Sequence, residues 1–252
     1  MKVFIVIPTY NEAENIENLV RNILELHPQI HFIIVDDNSP DGSGEIADKL
    51  SANIPTLRVL HRPQKLGLGT AYIEGFKKAL DEGAEIIFEM DADFSHDPKA
   101  IQYFLNAVKK ADVVIGSRYL HGVRVIGWRF RRLFVSKLAN IFVSHIMIFP
   151  QIWDYTSGFR CYRREVLESI GLDKIKSDGY AFQIEMAYRS YKNDFQIIEI
   201  PIIFSAREKG VSKISRDVVY EAFWLTLKLH APIGEIIKDF LLSYKKYFFL
   251  DK

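Results

Sequence analysis

The sequence predicts an α/β fold, a mainly parallel sheet with helices on both faces. Two observations carry that expectation. Short β-branched apolar blocks recur through the first half of the chain, and between them apolar residues fall at helical spacing. The composition agrees: 252 residues with 48% hydrophobic and 26% charged residues suit a globular domain with a sizeable core, which excludes disordered, collagen-like and coiled-coil readings.

The elements follow in order. Val3 to Ile7, Phe32 to Val35, Leu57 to Leu60, Ile86 to Met90 and Val113 to Ile115 have strand length and end in polar or turn residues. Glu12 to Leu26, Gly44 to Ser51, Gly69 to Leu80 and Pro98 to Lys109 read as helices; in the first, Ile16, Leu19, Val20, Ile23 and Leu24 share one face. After Ile115 the alternation stops. A helical pattern begins at Arg131, a Gly-containing turn lies near Asp154 to Phe159, and helices are expected over Arg164 to Ile170 and Ala181 to Tyr191. Phe195 to Phe204 reads as a late strand, with Pro201 marking an edge or a bulge. The main domain is expected over residues 1–215, with a helical extension over 216–252.

Thirty-three basic residues against 32 acidic ones leave a net charge of +1, which argues against a nucleic-acid partner. The single cysteine, Cys161, excludes an intramolecular disulfide and a thiolate-rich zinc site, and it suits a reducing, cytosolic compartment. The apolar run at the N-terminus ends at Pro8 without a cleavage pattern and reads as a strand. The best candidate for a spanning helix, Leu133 to Trp153, is interrupted by Lys137, Asn140, His145, Pro150 and Gln151, which disfavours crossing a membrane but not lying on one.

Ligands of open α/β sheets bind beyond the carboxyl ends of the strands, and the unusual residues of this chain cluster there. Asp91 and Asp93 close the fourth block. Two carboxylates so close together repel, so they suit either a divalent cation bridging to a diphosphate, which relieves the repulsion, or a solvated turn. Asp97, before Pro98, reads as a helix N-cap. After the second block, Asp36, Asp37 and Asp41 suit either ribose and base contacts or a plain acid-rich turn. The glycines of HRPQKLGLGTA lack dinucleotide-loop spacing and follow the third block, so a dehydrogenase is excluded and Lys65 is left as a phosphate contact or a solvated lysine.

From Val113 to Trp153 there is no acidic residue, while Arg118, Arg124, Arg129, Arg131, Arg132 and Lys137 alternate with apolar and aromatic residues. That pattern suits an interfacial helix over about 128–149 and arginines that grip phosphate, or else a core helix with a basic edge. Arg207, Lys209 and Lys213 place three more cations on a loop that either closes over a diphosphate or is simply exposed. His61, His96, His121 and His145 lack metal-type spacing and read as structural or surface residues.

The strings VIPTYNE, VDDNSPDG, KLGLGTA, MDADFSHDP, GSRY, DYTSGFRCYRREVLE and REKGVSK appear in this order over about residues 3 to 213. In that order the chain resembles the family-two glycosyltransferases of the GT-A fold and, within them, the dolichol-phosphate mannose synthases. The resemblance implies that Pro8, Tyr10, Glu12, Val35 and Asp37 surround the guanine and ribose of GDP-mannose. It implies that Asp91, Ala92 and Asp93 form the motif for Mg2+ or Mn2+ and the diphosphate, with Ser95 standing where some relatives carry Gln as a further metal contact. Arg118, Arg207 and Lys213 match its phosphate-binding cations, and Asp93 and Arg118 its catalytic pair.

The implied reaction moves mannose from GDP-mannose to a polyprenyl (dolichyl) phosphate with inversion, giving a β-linked product. A phosphate monoester has a second pKa of about 6 and is largely dianionic at neutral pH, so such an acceptor needs no general base. The expected setting is the cytoplasmic face of a membrane, bound peripherally, with a separate membrane anchor protein as a further partner. A UDP-glucose-dependent transferase for the same acceptor and a non-catalytic nucleotide-binding module are the alternatives.

Overall fold

The computed structural model describes residues 1–128, 130–147, 152–206 and 224. The elements in chain order are β1 (Val3–Thr9), α1 (Ile16–Leu26), β2 (His31–Asp36), α2 (Ser43–Asn53), β3 (Leu57–His61), α3 (Leu68–Asp81), β4 (Ile86–Glu89), α4 (Ile101–Ala107) and β5 (Val113–Ser117). There follow β6 (Val125–Ile126), α5 (Phe130–Met147), β7 (Arg160–Arg163), α6 (Arg164–Ser169), α7 (Gly179–Lys192), β8 (Ile197–Pro201) and β9 (Phe204–Ser205). The seven-stranded sheet has the order β3-β2-β1-β4-β7-β5-β8, and β6 pairs with β9 in a small second sheet. All strand pairs of the large sheet are parallel except those of β7, which runs antiparallel to both β4 and β5.

Each face of the sheet carries its own apolar layer. One packs Phe4, Val6 and Val35 beneath Tyr72 and Phe76 of α3 and Phe182 of α7; the other packs Ile5, Ile7 and Phe32 beneath α1, α2 and α4. Helix α3 lies so close to the sheet that a Cβ at Gly75 would fall 2.3 Å from Val6 Cγ1, and only glycine fits there. The α/β expectation is met.

Two segments depart from the sequence expectation. The sequence pattern predicts no strand at Arg160–Arg163, yet it forms β7 in mid-sheet. Its arginines hide the strand because their charge is consumed locally. The fully buried Arg160 donates to the carbonyls of Tyr155, Ser157 and Gln183 at 2.6–2.8 Å. Arg163 caps the end of α4 through the carbonyl of Val108, and Arg164 caps α3 through those of Leu80 and Ala84. The expected strand Phe195 to Phe204 is two strands: β8 pairs only with β5 at the sheet edge and ends at Pro201, and β9 belongs to the second sheet. The extension over 216–252 lies outside the described residues except for Trp224. Among the described residues no helix is long and apolar enough to cross a membrane.

The sheet order fixes where a ligand fits. From β1 the chain proceeds to β2 and β3 on one side and returns to β4 on the other, so the order reverses between β1 and β4, at their carboxyl ends.

Candidate active site

A cleft of about 520 Å³ opens at that reversal. Its walls include Pro8, Tyr10 and Glu12 after β1, Asp37 after β2, Asp91, Ala92 and Asp93 after β4, and Arg118 after β5. Val35 does not reach it, since its side chain is buried in the apolar layer under α3. Ser95 does not reach it either: it is 1% exposed, and its hydroxyl has no hydrogen-bond partner among the described residues. Arg207, Lys209 and Lys213 lie outside the described residues.

The β1 and β2 turns lock together. Asn11 adopts a left-handed conformation, φ 58°, after which the Glu12 N–H donates to Ser43 Oγ at 2.8 Å and the Ala13 N–H to Asp41 at 3.0 Å. Burial alone would raise the Asp41 pKa, but the Ser43 hydroxyl and the N–H groups of Ala13 and Ser43 hold it below the ordinary value. Asp36 accepts from the Ser39 N–H and hydroxyl. The acid-rich turn therefore divides: Asp36 and Asp41 build it, and Asp37 faces the cleft. The buried Arg62, which sequence reasoning missed, pairs with Asp37 and donates to Thr70 Oγ1 at 2.7 Å and the Gly67 carbonyl at 2.9 Å. Its only sequence signal is a place after the third strand, among the residues that failed the dinucleotide spacing. Nearby, the Lys65 ammonium lies 4.3 Å from the Tyr10 ring centroid, on the rim.

After β4, Phe94 is forced into a left-handed conformation, φ 58°, which is strained for an aromatic residue and holds Asp91 and Asp93 at one bend. The Ser95 N–H donates to Asp93 at 3.0 Å. His96 is 1% exposed, and its Nδ1 accepts from the Asp91 N–H at 3.1 Å, which leaves the ring proton on Nε2, 3.9 Å from Asp91 Oδ2. Burial pushes the His96 pKa down to about 4, so the ring is neutral at physiological pH. It is buried, and it also lines the cleft. Beneath it, the fully buried Glu89 accepts from Tyr162 Oη at 2.9 Å and Gln183 Nε2 at 2.7 Å, and burial raises its pKa to about 7.

Arg118 is 3% exposed and makes a bidentate pair with the fully buried Asp154, Nε to Oδ2 at 2.7 Å and Nη2 to Oδ1 at 2.6 Å. Nη2 also donates to Thr156 Oγ1 at 2.7 Å. Among the described residues Nη1 has no hydrogen-bond partner. The guanidinium lies 5.4 Å from the Trp128 ring centroid, and Arg132 of α5 stacks on the same ring at 4.1 Å. Trp128 and Arg132 thus join the cleft from the basic stretch. Asp178, also missed from sequence, enters from the start of α7 and accepts from the Gly69 N–H at 2.6 Å.

A family model, Glycosyl transferase family 2, matches residues 4–171. The chain belongs to glycosyl transferase family 2. It is 45% identical over 225 residues to polyprenol monophosphomannose synthase of Mycolicibacterium smegmatis, covering 88% of this chain and 84% of the relative. It is 42% identical over 222 residues to undecaprenyl-phosphate mannosyltransferase of Micrococcus luteus, covering 88% and 91%. Glucosyl-3-phosphoglycerate synthase of Mycobacterium tuberculosis, solved with Mn2+, UDP and glucosyl-3-phosphoglycerate, superposes with a TM-score of 0.66 at 17% identity, over 91% of this chain and 80% of that one. A mannosyltransferase of Pyrobaculum calidifontis in complex with GDP-Man and Mn2+ superposes with a TM-score of 0.56 at 17% identity, over 100% and 81%. At such identity these structures speak to the fold, and they meet the GT-A expectation.

For this glycosyltransferase the donor set bears on the metal. Among the described residues no group of three or more His, Cys, Asp or Glu side chains could cage an ion. The pair Asp91 and Asp93 offers hard oxygen donors at the cleft wall, which fits the mode in which one or two carboxylates share a magnesium or manganese ion with substrate phosphates.

Proposed function

We propose that this glycosyltransferase transfers mannose from GDP-mannose to a polyprenyl phosphate with inversion, giving a β-linked polyprenyl-phosphate mannose, at the cytoplasmic surface of a membrane. One observation carries the reading. A single cleft joins an acidic pair suited to a metal diphosphate, Asp91 and Asp93, to a pair of arginines around Trp128, beside a helix with apolar side chains in solvent. The names of the two curated relatives support the sugar and the acceptor class. The GDP-Man complex of the mannosyltransferase supports the fold's compatibility with that donor.

Asp37 and Tyr10 stand where the nucleoside enters, and Arg62 holds the Asp37 carboxylate in one place. Asp91 and Asp93 would hold Mg2+ or Mn2+, which when bound offsets the charge on the departing diphosphate. Arg118 is anchored through Nε and Nη2, so Nη1 is presented in a fixed direction for an acceptor phosphate oxygen. Arg132 adds a second cation beside it. The acceptor dianion attacks the anomeric carbon without losing a proton, so no carboxylate is required as a base. On the family resemblance Arg207 and Lys213 are further phosphate-binding cations, and the catalytic domain ends near residue 215.

Purified protein is to be assayed with radiolabelled GDP-mannose and UDP-glucose against polyprenyl phosphate. The expected result is lipid-linked label from GDP-mannose in the presence of magnesium or manganese. Preference for UDP-glucose overturns the sugar assignment, and nucleotide binding without transfer to any polyprenyl phosphate overturns the reaction.

A further inference from the structure

Gln183 has an amide that the protein satisfies on one side only. It projects from α7 into the wall of the cleft and is 2% exposed. Its Nε2 donates to Glu89 Oε2 at 2.7 Å, and Glu89 also accepts from Tyr162 Oη at 2.9 Å. The backbone beneath it is fixed as well, since Arg160 Nη1 donates to the Gln183 carbonyl at 2.7 Å. The carboxamide oxygen is buried with no hydrogen-bond partner among the described residues. A buried acceptor left without a donor is costly, so it signals a ligand group that supplies one.

The place of the amide identifies that group. A Cβ on Gly158 would lie 3.7 Å from Gln183 Nε2 and 3.9 Å from Asp91 Oδ1, so the amide and the Asp91 carboxylate flank the same bare patch of wall. On the proposed reading the donor diphosphate sits at Asp91 and Asp93, and the hexose attached to it falls next to that patch. A hexose presents hydroxyl groups, each of which can donate.

We propose that the Gln183 carboxamide oxygen accepts a hydrogen bond from one hydroxyl of the transferred sugar, making Gln183 a specificity-determining residue with Glu89 as its positioning residue. The inference rests on the reading that this cleft binds a nucleotide sugar. It adds the group that reads the sugar rather than the nucleotide.

The test uses the full-length protein with magnesium, GDP-mannose and a set of GDP-mannose analogues each lacking one sugar hydroxyl. In wild type, one analogue should lose about ten- to a hundred-fold in kcat/KM through this contact. Gln183→Leu should lose a similar factor with GDP-mannose itself, show no further loss with that one analogue, and keep the inhibition constant of GDP within about twofold. Equal losses for every analogue in variant and wild type overturn the inference, as does a matching loss of GDP affinity.

Gly158→Ala is the second variant, because its added methyl meets protein atoms only at ordinary contact distance and narrows the cleft at the sugar. It should raise KM for GDP-mannose and leave GDP inhibition unchanged; weakening of GDP to the same degree counts against the inference. Wild type that turns over no GDP-mannose overturns the functional reading itself. Wild-type turnover with both variants unaltered overturns the Gln183 assignment alone.

Discussion

The strand-end floor of the cleft and the helix beside it, α5, are held in opposite ways. On the floor the polar groups are tied to their neighbours: the buried Asp37 by Arg62, the buried Asp93 by the Ser95 N–H, and the half-buried Asp91 by His96 through its backbone. Among the described residues helix α5 is docked along one side. Asn140 accepts from the Tyr155 N–H at 2.7 Å and donates to Thr156 Oγ1 at 3.2 Å, and Ser136 meets Tyr119 Oη at 2.7 Å. Its other side leaves Phe130 78% exposed, Phe134 54% and Leu138 48%. Contiguous apolar side chains in water mark a surface made to be covered, and on the proposed function a lipid interface is what covers them. A rigid polar floor suits a water-soluble charged donor, and a greasy flank suits an acceptor that arrives in a bilayer.

The sharpest way to break that division is at the floor. Asp93→Ala should lower transfer about a thousand-fold or more and remove most of the dependence on added magnesium, because the diphosphate charge then develops without compensation. Single-turnover assays with and without chelator read both. Near-normal turnover in chelator removes the metal from the proposed chemistry. Vesicle binding of the same variant should equal that of wild type.

Arg118 stands where the two regions join, and its variant should show two losses. Arg118→Ala leaves Asp154 as a fully buried carboxylate without its cation, at a cost of about 3–5 kcal/mol in denaturant unfolding, and it also abolishes transfer. The paired change Arg118→Met with Asp154→Asn removes both charges and keeps an acceptor for the Arg118 N–H, which now donates to Asp154 Oδ2 at 2.9 Å. It should recover most of the stability and bind GDP as wild type does, yet remain inactive. Recovery of transfer along with stability would make Arg118 only a strut.

What the sequence made legible follows the same division. The parallel core of β1 to β5 was readable because its strands are nearly all apolar and its helices have clear faces, and the strand-end rule then pointed to Asp37, Asp91, Asp93 and Arg118. β7 was unreadable because Arg160, Arg163 and Arg164 look like surface residues until their carbonyl partners are known. Arg62 and Asp178 reach the cleft through contacts made only in the folded chain, so no spacing announces them. The resemblance puts Val35 and Ser95 at the site, and neither is among the residues that line the cleft. The flank was legible from composition alone, since the stretch has no acidic residue, but which side of α5 faces out was not.

The flank itself is tested by its apolar side. Replacing Phe130, Phe134 and Leu138 together by Gln should weaken association with anionic vesicles about ten- to a hundred-fold, because each removes apolar surface from the interface. Folding stability should stay within about 0.5 kcal/mol, since these side chains are exposed. Turnover of a short water-soluble polyprenyl phosphate should be unchanged, while turnover in vesicles falls. Salt should weaken wild-type binding without abolishing it, because only the electrostatic part is screened. Charge reversal at Arg132 is a poorer probe, because that guanidinium stacks on Trp128 and lines the cleft. Flotation settles the matter: wild type that stays free of anionic vesicles at low salt removes the interfacial role.

The smallest expected effect concerns the turn that links floor and flank. Glu199 of β8 accepts from the N–H groups of Trp153 and Asp154 at 2.8 and 2.9 Å, and so holds the residue that anchors Arg118. Burial, with a lesser push from the Asp154 charge, raises the Glu199 pKa to about 7 against the pull of the Trp153 N–H and the Ser117 hydroxyl. A carboxyl whose pKa is higher folded than unfolded binds more protons in the folded state, here between its ordinary value of 4.5 and about 7. Its contribution to stability therefore falls as pH rises through that window. Glu199→Gln removes the titration, so the stability of wild type relative to the variant should decline by on the order of 1 to 2 kcal/mol between the two ends of that range. Glu89, whose pKa burial also raises to about 7, and His96, pushed down to about 4, titrate in both proteins and cancel in the difference. Urea unfolding of both proteins across the range provides the measurement. A difference independent of pH would mean that Glu199 stays ionised in the fold, and that its two backbone donors outweigh its burial.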